Sequence, residues 1–237
     1  MIVTYVPVVY GPLSIFLLLL SHLYKDVAEP LENMLKKNFF DRDAQVVAKA
    51  LLGKVIRHKY QNIWLLAQII ETEAYYIHDK GSHASLGLTE KRKALFMPAG
   101  TIYMYYARGD DSLNVSCQGE GNAVLIKSGI PYLKDAPKNM IAIMQKLNPI
   151  KNSGKMRDPK RLCLGQTLLC RSLHLKVKEW DAKQFDEHRF YMEDCHYKPL
   201  KMIQTTRLGI PLGRDEHLPY RFIDAEFLSY CKINKFA

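Results

Sequence analysis

The sequence lacks the short motifs that identify several large enzyme classes. It has no phosphate loop of the GxxxxGK type and no GxGxxG turn after a strand, so no nucleotide cofactor is predicted. HExxH and CxxC spacings are absent, and the neighbours His78, Asp79 and His83 match no ligand motif, so no metal site is predicted. The absence of a serine nucleophile elbow argues against that hydrolase class.

Cysteine is too sparse for a disulfide scaffold. The five cysteines show no paired spacing, which favours a reducing compartment. They are Cys117, Cys163, Cys170, Cys195 and Cys231.

Negative charge is in deficit. The chain has 34 Lys and Arg against 24 Asp and Glu, a net charge of +10. This balance favours a polyanionic partner, either nucleic acid or an anionic membrane surface. The length of 237 residues and a hydrophobic content of 48% suit one domain with a substantial core.

The first 20 residues carry no charge and end in an apolar run, residues 13–20. Pro7, Gly11 and Pro12 interrupt a membrane-spanning helix, and no Lys or Arg precedes the apolar run as in a secretory signal. We interpret residues 1–33 as translated upstream sequence outside a domain at 34–237, with a membrane anchor as the competing interpretation. No stable membrane association is therefore expected.

Periodicity and turn signals predict alternating helices and strands. A helix capped by Asp41 or Asp43 ends at Gly53, and a turn at residues 61–62 joins the first two strands. The predicted strands at 101–106, 113–117 and 123–127 are separated by Gly-rich turns and form a meander. Strands are predicted at 54–59, 64–75, 101–106, 113–117, 123–127, 189–192 and 200–206, helices at 137–147 and from Asp158-Pro159, and an extended loop at 208–220.

Two acids continue a strand that is otherwise apolar. Glu71 and Glu73 follow the run 64–70, where a carboxylate is either paired with a cation or held for acid–base chemistry. Further along, Tyr103 and Tyr105 share one strand face and Tyr106 points the other way. Alternating tyrosines are ordinary strand residues, but beside a carboxylate on a basic chain they also suit the stacking of an unstacked nucleobase.

Ordered fragments across the chain resemble the alkyladenine (3-methyladenine) DNA glycosylase family. Each fragment is modest, but their order and spacing from about Val46 to Ser229 make the resemblance specific. The fragments are Leu51 to Lys54, Glu71 to Tyr75, Asp79 with His83, Thr89, Pro98 to Tyr105, Leu113 to Val115, Ala123 to Ile126, Asp158 to Cys163 and Pro219 to Phe222.

The resemblance implies a monofunctional DNA glycosylase. Such an enzyme hydrolyses the N-glycosidic bond of alkylated or deaminated purines flipped out of double-stranded DNA, leaves an abasic site for base excision repair, and uses no metal or cofactor. Glu73 corresponds to the general base. Tyr75 and His83 would pack on one face of the flipped base and Tyr105 on the other, with Asn114 at the pocket floor. Glu71 is expected to be hydrogen-bonded or ion-paired instead of catalytic.

Two positions depart from the family pattern. Arg108 stands where the family usually has a Tyr wedge before the Gly of a hairpin, and Tyr106 is a candidate substitute for that wedge. Lys127 stands where Arg is common, so the charge is kept and the bidentate fork is lost. These departures keep open an alternative, a damage-binding protein of the same fold with weak or no cleavage.

The same resemblance supplies the architecture and setting. It implies one mixed α/β domain with a curved, mostly antiparallel sheet, flanking helices and a protruding hairpin that inserts into DNA. A monomer is expected, in the cytoplasm with the nucleoid if the source is bacterial and in the nucleus if it is eukaryotic.

The interpretation of residues 1–33 can be tested by deletion. A chain starting at Met34 should remain soluble and keep the activity of the full chain, because no part of the domain is removed. Solubility without detergent and activity per mole are the measurements. Loss of either property on deletion would favour a genuine anchor.

Overall fold

The acid-bearing apolar run forms the longest strand of the fold, β2 (Ile63–Tyr75). In the computed structural model, which describes residues 32–232, β2 pairs with β1 (Val55–Tyr60), β5 (Ala123–Pro131) and β8 (Arg221–Asp224). Along one edge of β2, residues 63–68 pair with β1 and residues 71–73 pair with β8. The other edge pairs with β5. The two acids therefore lie where three strands, β2, β5 and β8, run side by side.

All strand pairs of the described residues are antiparallel and belong to one sheet. The order is β3-β4-β5-β2-β1-β6, and β8 joins β2 to β7. The remaining strands are β3 (Ile102–Ala107), β4 (Asp110–Ser116), β6 (Phe190–Glu193) and β7 (Met202–Thr205). The sheet curls as a half-barrel with helices around it, so the predicted mixed α/β domain with a curved antiparallel sheet is confirmed.

Short helices flank the sheet. The α-helices are α1 (Lys37–Phe40), α2 (Ala44–Leu51), α3 (Met140–Leu147), α4 (Gln166–Ser172) and α5 (Val177–Trp180), and the 3-10 helices are Ala84–Leu86, Glu90–Phe96, Pro159–Arg161 and Ala225–Tyr230. Asp43 is the cap of α2, because its carboxylate accepts from the backbone N–H groups of Gln45 and Val46.

Three local predictions need correction. The turn between β3 and β4 is Arg108-Gly109, both with positive φ (54° and 84°), so β4 begins at Asp110 and not at the predicted residue 113. Asp158-Pro159 opens only a single 3-10 turn, and the α-helix starts after Gly165, whose φ of 96° interrupts a continuous helix. Strand β8 was not predicted, because four residues give too short an alternation to recognise.

The extension predicted at residues 1–33 lies outside the described residues except for its last two. The chain divides into two units, Met1–Met34 and Leu35–Ala237, and the second contains every element named above. Within residues 32–232 no helix has the length and apolarity needed to cross a membrane.

A buried ion pair fixes β8 to β2. The Nε atom of Arg221 donates to Glu71 Oε1 at 2.6 Å, and both side chains are almost fully buried. The Arg221 Nη2 atom also donates to the backbone oxygen of Lys232 at 2.6 Å. Glu71 is thus ion-paired, as the sequence predicted, and it contributes to the architecture around the site.

A second buried polar contact makes stability depend on pH. The indole Nε1–H of Trp180 donates to His58 Nε2 at 3.1 Å, and His58 Nδ1 lies 2.7 Å from the backbone oxygen of Leu173. An indole can only donate, so Nε2 must accept and Nδ1 carries the single proton. Burial lowers the pKa of His58 to about 4, since the charged ring would lose water, and the nearby His174 and Arg189 act in the same direction.

We expect the free energy of unfolding to fall as the solution is acidified from pH 7 to pH 4. In the unfolded chain this histidine binds a proton near pH 6.5, whereas in the folded chain it stays neutral down to about pH 4. The difference contributes about 3 kcal/mol above pH 6.5 and is lost as the pH falls through that window. In urea unfolding, the free energy of unfolding should fall less between pH 7 and pH 4 for His58→Gln than for the unaltered chain. Equal losses in the two proteins would contradict the assignment.

Candidate active site

An irregularity in strand pairing brings Lys127 to Glu73. The register between β2 and β5 passes from Ile69 with Gly129 to Glu71 with Ser128, and then to Thr72 with Ile126. It therefore skips one residue on each strand, and the one skipped on β5 is Lys127. Bulges of this kind re-aim side chains and are frequent beside active sites.

Glu73 is fully buried and its carboxylate is held by three residues. Tyr75 donates its hydroxyl to Oε2 at 2.8 Å, and the backbone N–H of Leu208 donates to Oε1 at 2.9 Å. Lys127 Nζ lies 3.2 Å from Oε1 and 3.4 Å from Oε2, with its side chain 15% exposed. Burial of a carboxylate costs free energy unless a cation and hydrogen-bond donors surround it, and Glu73 has both.

Strand alternation separates the site from the core. Thr72 donates its hydroxyl to the backbone oxygen of Ala48 in α2 at 2.8 Å, and Ala74 packs in the main hydrophobic core. Glu73 and Tyr75 alternate with these residues, so they point to the other face of β2. The charged face of β2 is thereby isolated from helix α2.

A cavity of about 1090 Å³ lies directly in front of this carboxylate. Tyr75, Lys127 and Leu208 line it, and these are the three residues that contact Glu73. Glu73 itself lies behind this wall. The volume is slightly above the range of ordinary small-molecule sites, about 300–1,000 Å³, and is ample for a purine.

Aromatic rings form one side of the cavity. Tyr103 and Tyr105 share a face of β3, as predicted, with ring centroids 5.6 Å apart and planes inclined by 25°. His83 meets Tyr105 edge to face at a centroid distance of 4.4 Å, and its Nδ1 lies 2.9 Å from the Tyr103 hydroxyl. Desolvation, with Arg92 and Arg214 nearby, lowers the pKa of His83, so its ring is neutral at pH 7.

The contact between His83 and Tyr105 leaves no space for a base between them. A flat group stacked between two rings needs about 7 Å between their planes. The two rings are closer than that as found. A sandwich formed by Tyr75 and His83 against Tyr105 therefore requires the ring of His83 or Tyr105 to swing aside.

Asn114 lies in the cavity wall on β4. Its side chain is nearly buried, and Nδ2 donates to the backbone oxygen of Tyr103 at 3.2 Å. This bond fixes the amide on the tyrosine-bearing strand. The residue is thus a fixed polar group on the strand that pairs with the tyrosine-bearing strand.

The β3–β4 hairpin forms part of the cavity wall. Arg108 and Asp110 line the cavity, as does Ala107. Tyr106 is 52% exposed and lies on the opposite face, where it lines a second hollow of about 690 Å³ with Asp111 and several basic residues. Of the two candidates for a DNA wedge, only Arg108 lines the cavity in front of Glu73.

One buried residue at the site was missed by sequence reasoning. Arg207 Nη1 donates to Asp79 Oδ2 at 2.8 Å, and its guanidinium carbon lies 4.6 Å from the centroid of the Tyr75 ring. Both charged side chains are fully buried. A single Arg in a loop rich in Gly and Pro carries no sequence signal, whereas the fold packs it under the aromatic wall next to Leu208.

Within residues 32–232 no three His, Cys, Asp or Glu side chains converge in a way that could hold a metal ion. The groups at the cavity are a buried carboxylate, a cation beside it and an aromatic wall. This combination is suited to cleaving a bond to a flat heteroaromatic base with a water molecule as nucleophile.

Comparison with known proteins agrees with this class. A sequence model of the methylpurine-DNA glycosylase family matches residues 38–227. A Pseudomonas syringae pv. tomato protein is 62% identical over 201 residues, covering 84% of this chain and 90% of its own. A Pseudomonas aeruginosa protein is 60% identical with 84% of each chain covered, and a Clostridium beijerinckii protein is 32% identical with 80% and 94% covered. All three are provisionally named 3-methyladenine DNA glycosylases.

The chain belongs to the methylpurine-DNA glycosylase family. It is accordingly a DNA glycosylase, a hydrolase that acts on N-glycosidic bonds, and its substrate is DNA.

Removing the cation beside Glu73 should destabilise the fold. We expect Lys127→Met to lower the free energy of unfolding by roughly 3 kcal/mol, because it leaves a fully buried carboxylate without its charge partner. Lys127→Arg keeps the charge and is the matched control, with a smaller loss expected. Urea unfolding measures both variants, and equal stability of Lys127→Met and the unaltered chain would contradict the pairing.

Proposed function

We propose that this protein is a monofunctional DNA glycosylase that releases alkylated or deaminated purines of the 3-methyladenine type from duplex DNA. The nucleotide is flipped into the cavity, and hydrolysis leaves an abasic site for base excision repair. The observation that carries the proposal is the Glu73 carboxylate directly behind a cavity of about 1090 Å³ with an aromatic wall. A monomer that uses no metal is sufficient for this reaction.

Glu73 acts as the general base. It removes a proton from water as the water oxygen bonds to C1′ and the electron pair of the N-glycosidic bond leaves with the purine. The anion also stabilises the oxocarbenium character of the sugar. Tyr75 donates its hydroxyl to Oε2, next to Lys127. Water therefore reaches the carboxylate when this hydroxyl moves off Oε2. Lys127 and the Leu208 amide hold the carboxylate in orientation meanwhile.

The aromatic wall recognises the base. Tyr75 and His83 pack on one face and Tyr105 on the other, after His83 or Tyr105 has swung aside. A purine alkylated at N3 or N7 is a cation, so it is attracted to ring faces, and a neutral His83 does not repel it. Asn114 at the cavity floor clashes with the exocyclic amine of guanine and so disfavours the normal base.

The hairpin keeps the lesion extrahelical. Arg108, which lines the cavity, enters the gap left by the flipped nucleotide, where a guanidinium contacts base edges and phosphates. Tyr106 contacts the duplex from the other face of the hairpin. Lys127 serves the flipped nucleotide through its charge, without a bidentate fork. Since the relatives named above are bacterial, the expected setting is the cytoplasm with the nucleoid.

The competing function is a damage-binding protein of the same fold. Arg108 and Lys127 favour it, because they replace groups that the family uses to fill the duplex gap and to position the nucleotide. In that case the protein flips lesions but cleaves them poorly. Retention of Glu73 favours the enzyme.

The assay is incubation with a duplex that contains one hypoxanthine or 1,N6-ethenoadenine, or with methylated genomic DNA, followed by alkaline cleavage at abasic sites. We expect strand breaks with the unaltered chain and a loss of at least about 100-fold with Glu73→Gln, which cannot take the proton.

Glu193→Gln is the matched control, because Glu193 is also a buried, ion-paired strand glutamate, 2.6 Å from Arg57 at the far side of the sheet. It should keep full activity. Tight binding to the lesion duplex with no strand breaks from the unaltered chain would support the damage-binding alternative.

A further inference from the structure

Two aspartates directly after the hairpin turn point to opposite faces of the hairpin. Asp110 pairs with Ala107 and Asp111 with Tyr106, so neighbouring side chains alternate between the cavity face and the outer face. Acidic residues at a hairpin that approaches DNA oppose binding by repulsion, unless their charge serves another purpose. The structure gives each acid its own set of cationic partners.

On the cavity face, Asp110 is held by helix α4. Arg171 Nη2 donates to Asp110 Oδ1 at 2.5 Å, and Lys151 Nζ lies 3.3 Å from Oδ2. Arg171 in turn reaches Asn148 Oδ1 at 3.5 Å, and Asn148 is a fully buried residue bonded to Ser172 Oγ at 2.9 Å. The contact therefore connects the hairpin to the interior of the domain. The bond from Arg171 lowers the pKa of Asp110.

On the outer face, Asp111 is held by the start of helix α5. The backbone N–H of Val177 donates to Asp111 Oδ1 at 2.9 Å, and Lys176 Nζ donates to Oδ2 at 3.1 Å. Both carboxylate oxygens are thus occupied, and the side chain is only 14% exposed. A backbone donor cannot rotate away as a lysine can, so this contact fixes the position of β4 more strictly.

We propose that Asp110 and Asp111 are positioning residues that brace the hairpin from both faces, so that Arg108 is held ready to occupy the gap in a duplex. The inference rests on the proposed function, since it concerns the hairpin as the element that enters DNA. Between the aspartates and Arg108 lies only Gly109, whose φ of 84° completes a two-residue turn. Fixing the first two residues of β4 therefore fixes the turn.

If the two aspartates acted only through their charge, their removal would favour DNA binding. Each substitution by Asn removes one negative charge from a chain of net charge +10, which strengthens attraction to phosphates. If the aspartates only repelled DNA, Asp110→Asn and Asp111→Asn would bind undamaged duplex more tightly and excise faster. If they brace the hairpin, excision from duplex falls although binding to undamaged DNA is unchanged or tighter.

The test compares the same lesion in duplex and in single-stranded DNA, using the full chain. We expect duplex excision to fall about threefold for Asp110→Asn or Asp111→Asn and about tenfold for both together, the size of one and two such ion pairs. Excision from the single strand should change less than about twofold, because no partner strand must be displaced. A 2-aminopurine next to the lesion should report less unstacking in duplex bound by the variants.

Asp194→Asn is the matched control. Asp194 has a partner at 2.6 Å, Lys54, and an exposure of 35% against 32% for Asp110, but it does not line the cavity. It removes the same charge and should leave duplex excision unchanged. Unchanged or faster duplex excision by the Asp110 and Asp111 variants, or equal losses on both substrates, would overturn the brace. No excision by the unaltered chain would overturn the proposed function itself.

Discussion

The site depends on surrounding one wholly buried carboxylate with polar partners. Glu73 receives a tyrosine hydroxyl, a backbone amide and a lysine ammonium, which together replace the water it has lost. Each donor comes from a different segment, namely β2 itself, β5 and the loop after β7. Together these segments solvate the carboxylate with protein atoms.

Strand β2 joins the architecture to the chemistry. One of its acids, Glu71, binds Arg221 and fixes β8, whereas the other, two residues later, faces the cavity. Both lie on the same face of the strand, so the same alternation that buries Thr72 against α2 presents both acids to polar partners. The structural ion pair of Glu71 and the general base proposed at Glu73 thus differ in what the neighbouring strand and loop bring to each carboxylate.

Much of the local structure could be predicted from the sequence. Apolar runs bounded by turn residues gave the meander and the pairing of β1 with β2, because strand alternation and turn chemistry are local properties. The assignment failed where one or two residues decide the result. The two positive φ values at Arg108 and Gly109 shorten the turn. Asp110 and Asp111, which precede the predicted strand at 113–117, therefore belong to β4 and have partners of their own.

The sequence by itself determined the strand that carries Glu73, the shared face of Tyr103 and Tyr105, and the family, because these follow from patterns within short segments. Only the tertiary structure decided which cations the acids meet. Lys127 reaches Glu73 because the pairing of β2 with β5 is irregular there. Arg207 reaches Asp79, and the ring of Tyr75, from a loop more than 120 residues away in the sequence. Contacts at such separations depend on how the whole chain packs, and no local pattern encodes them.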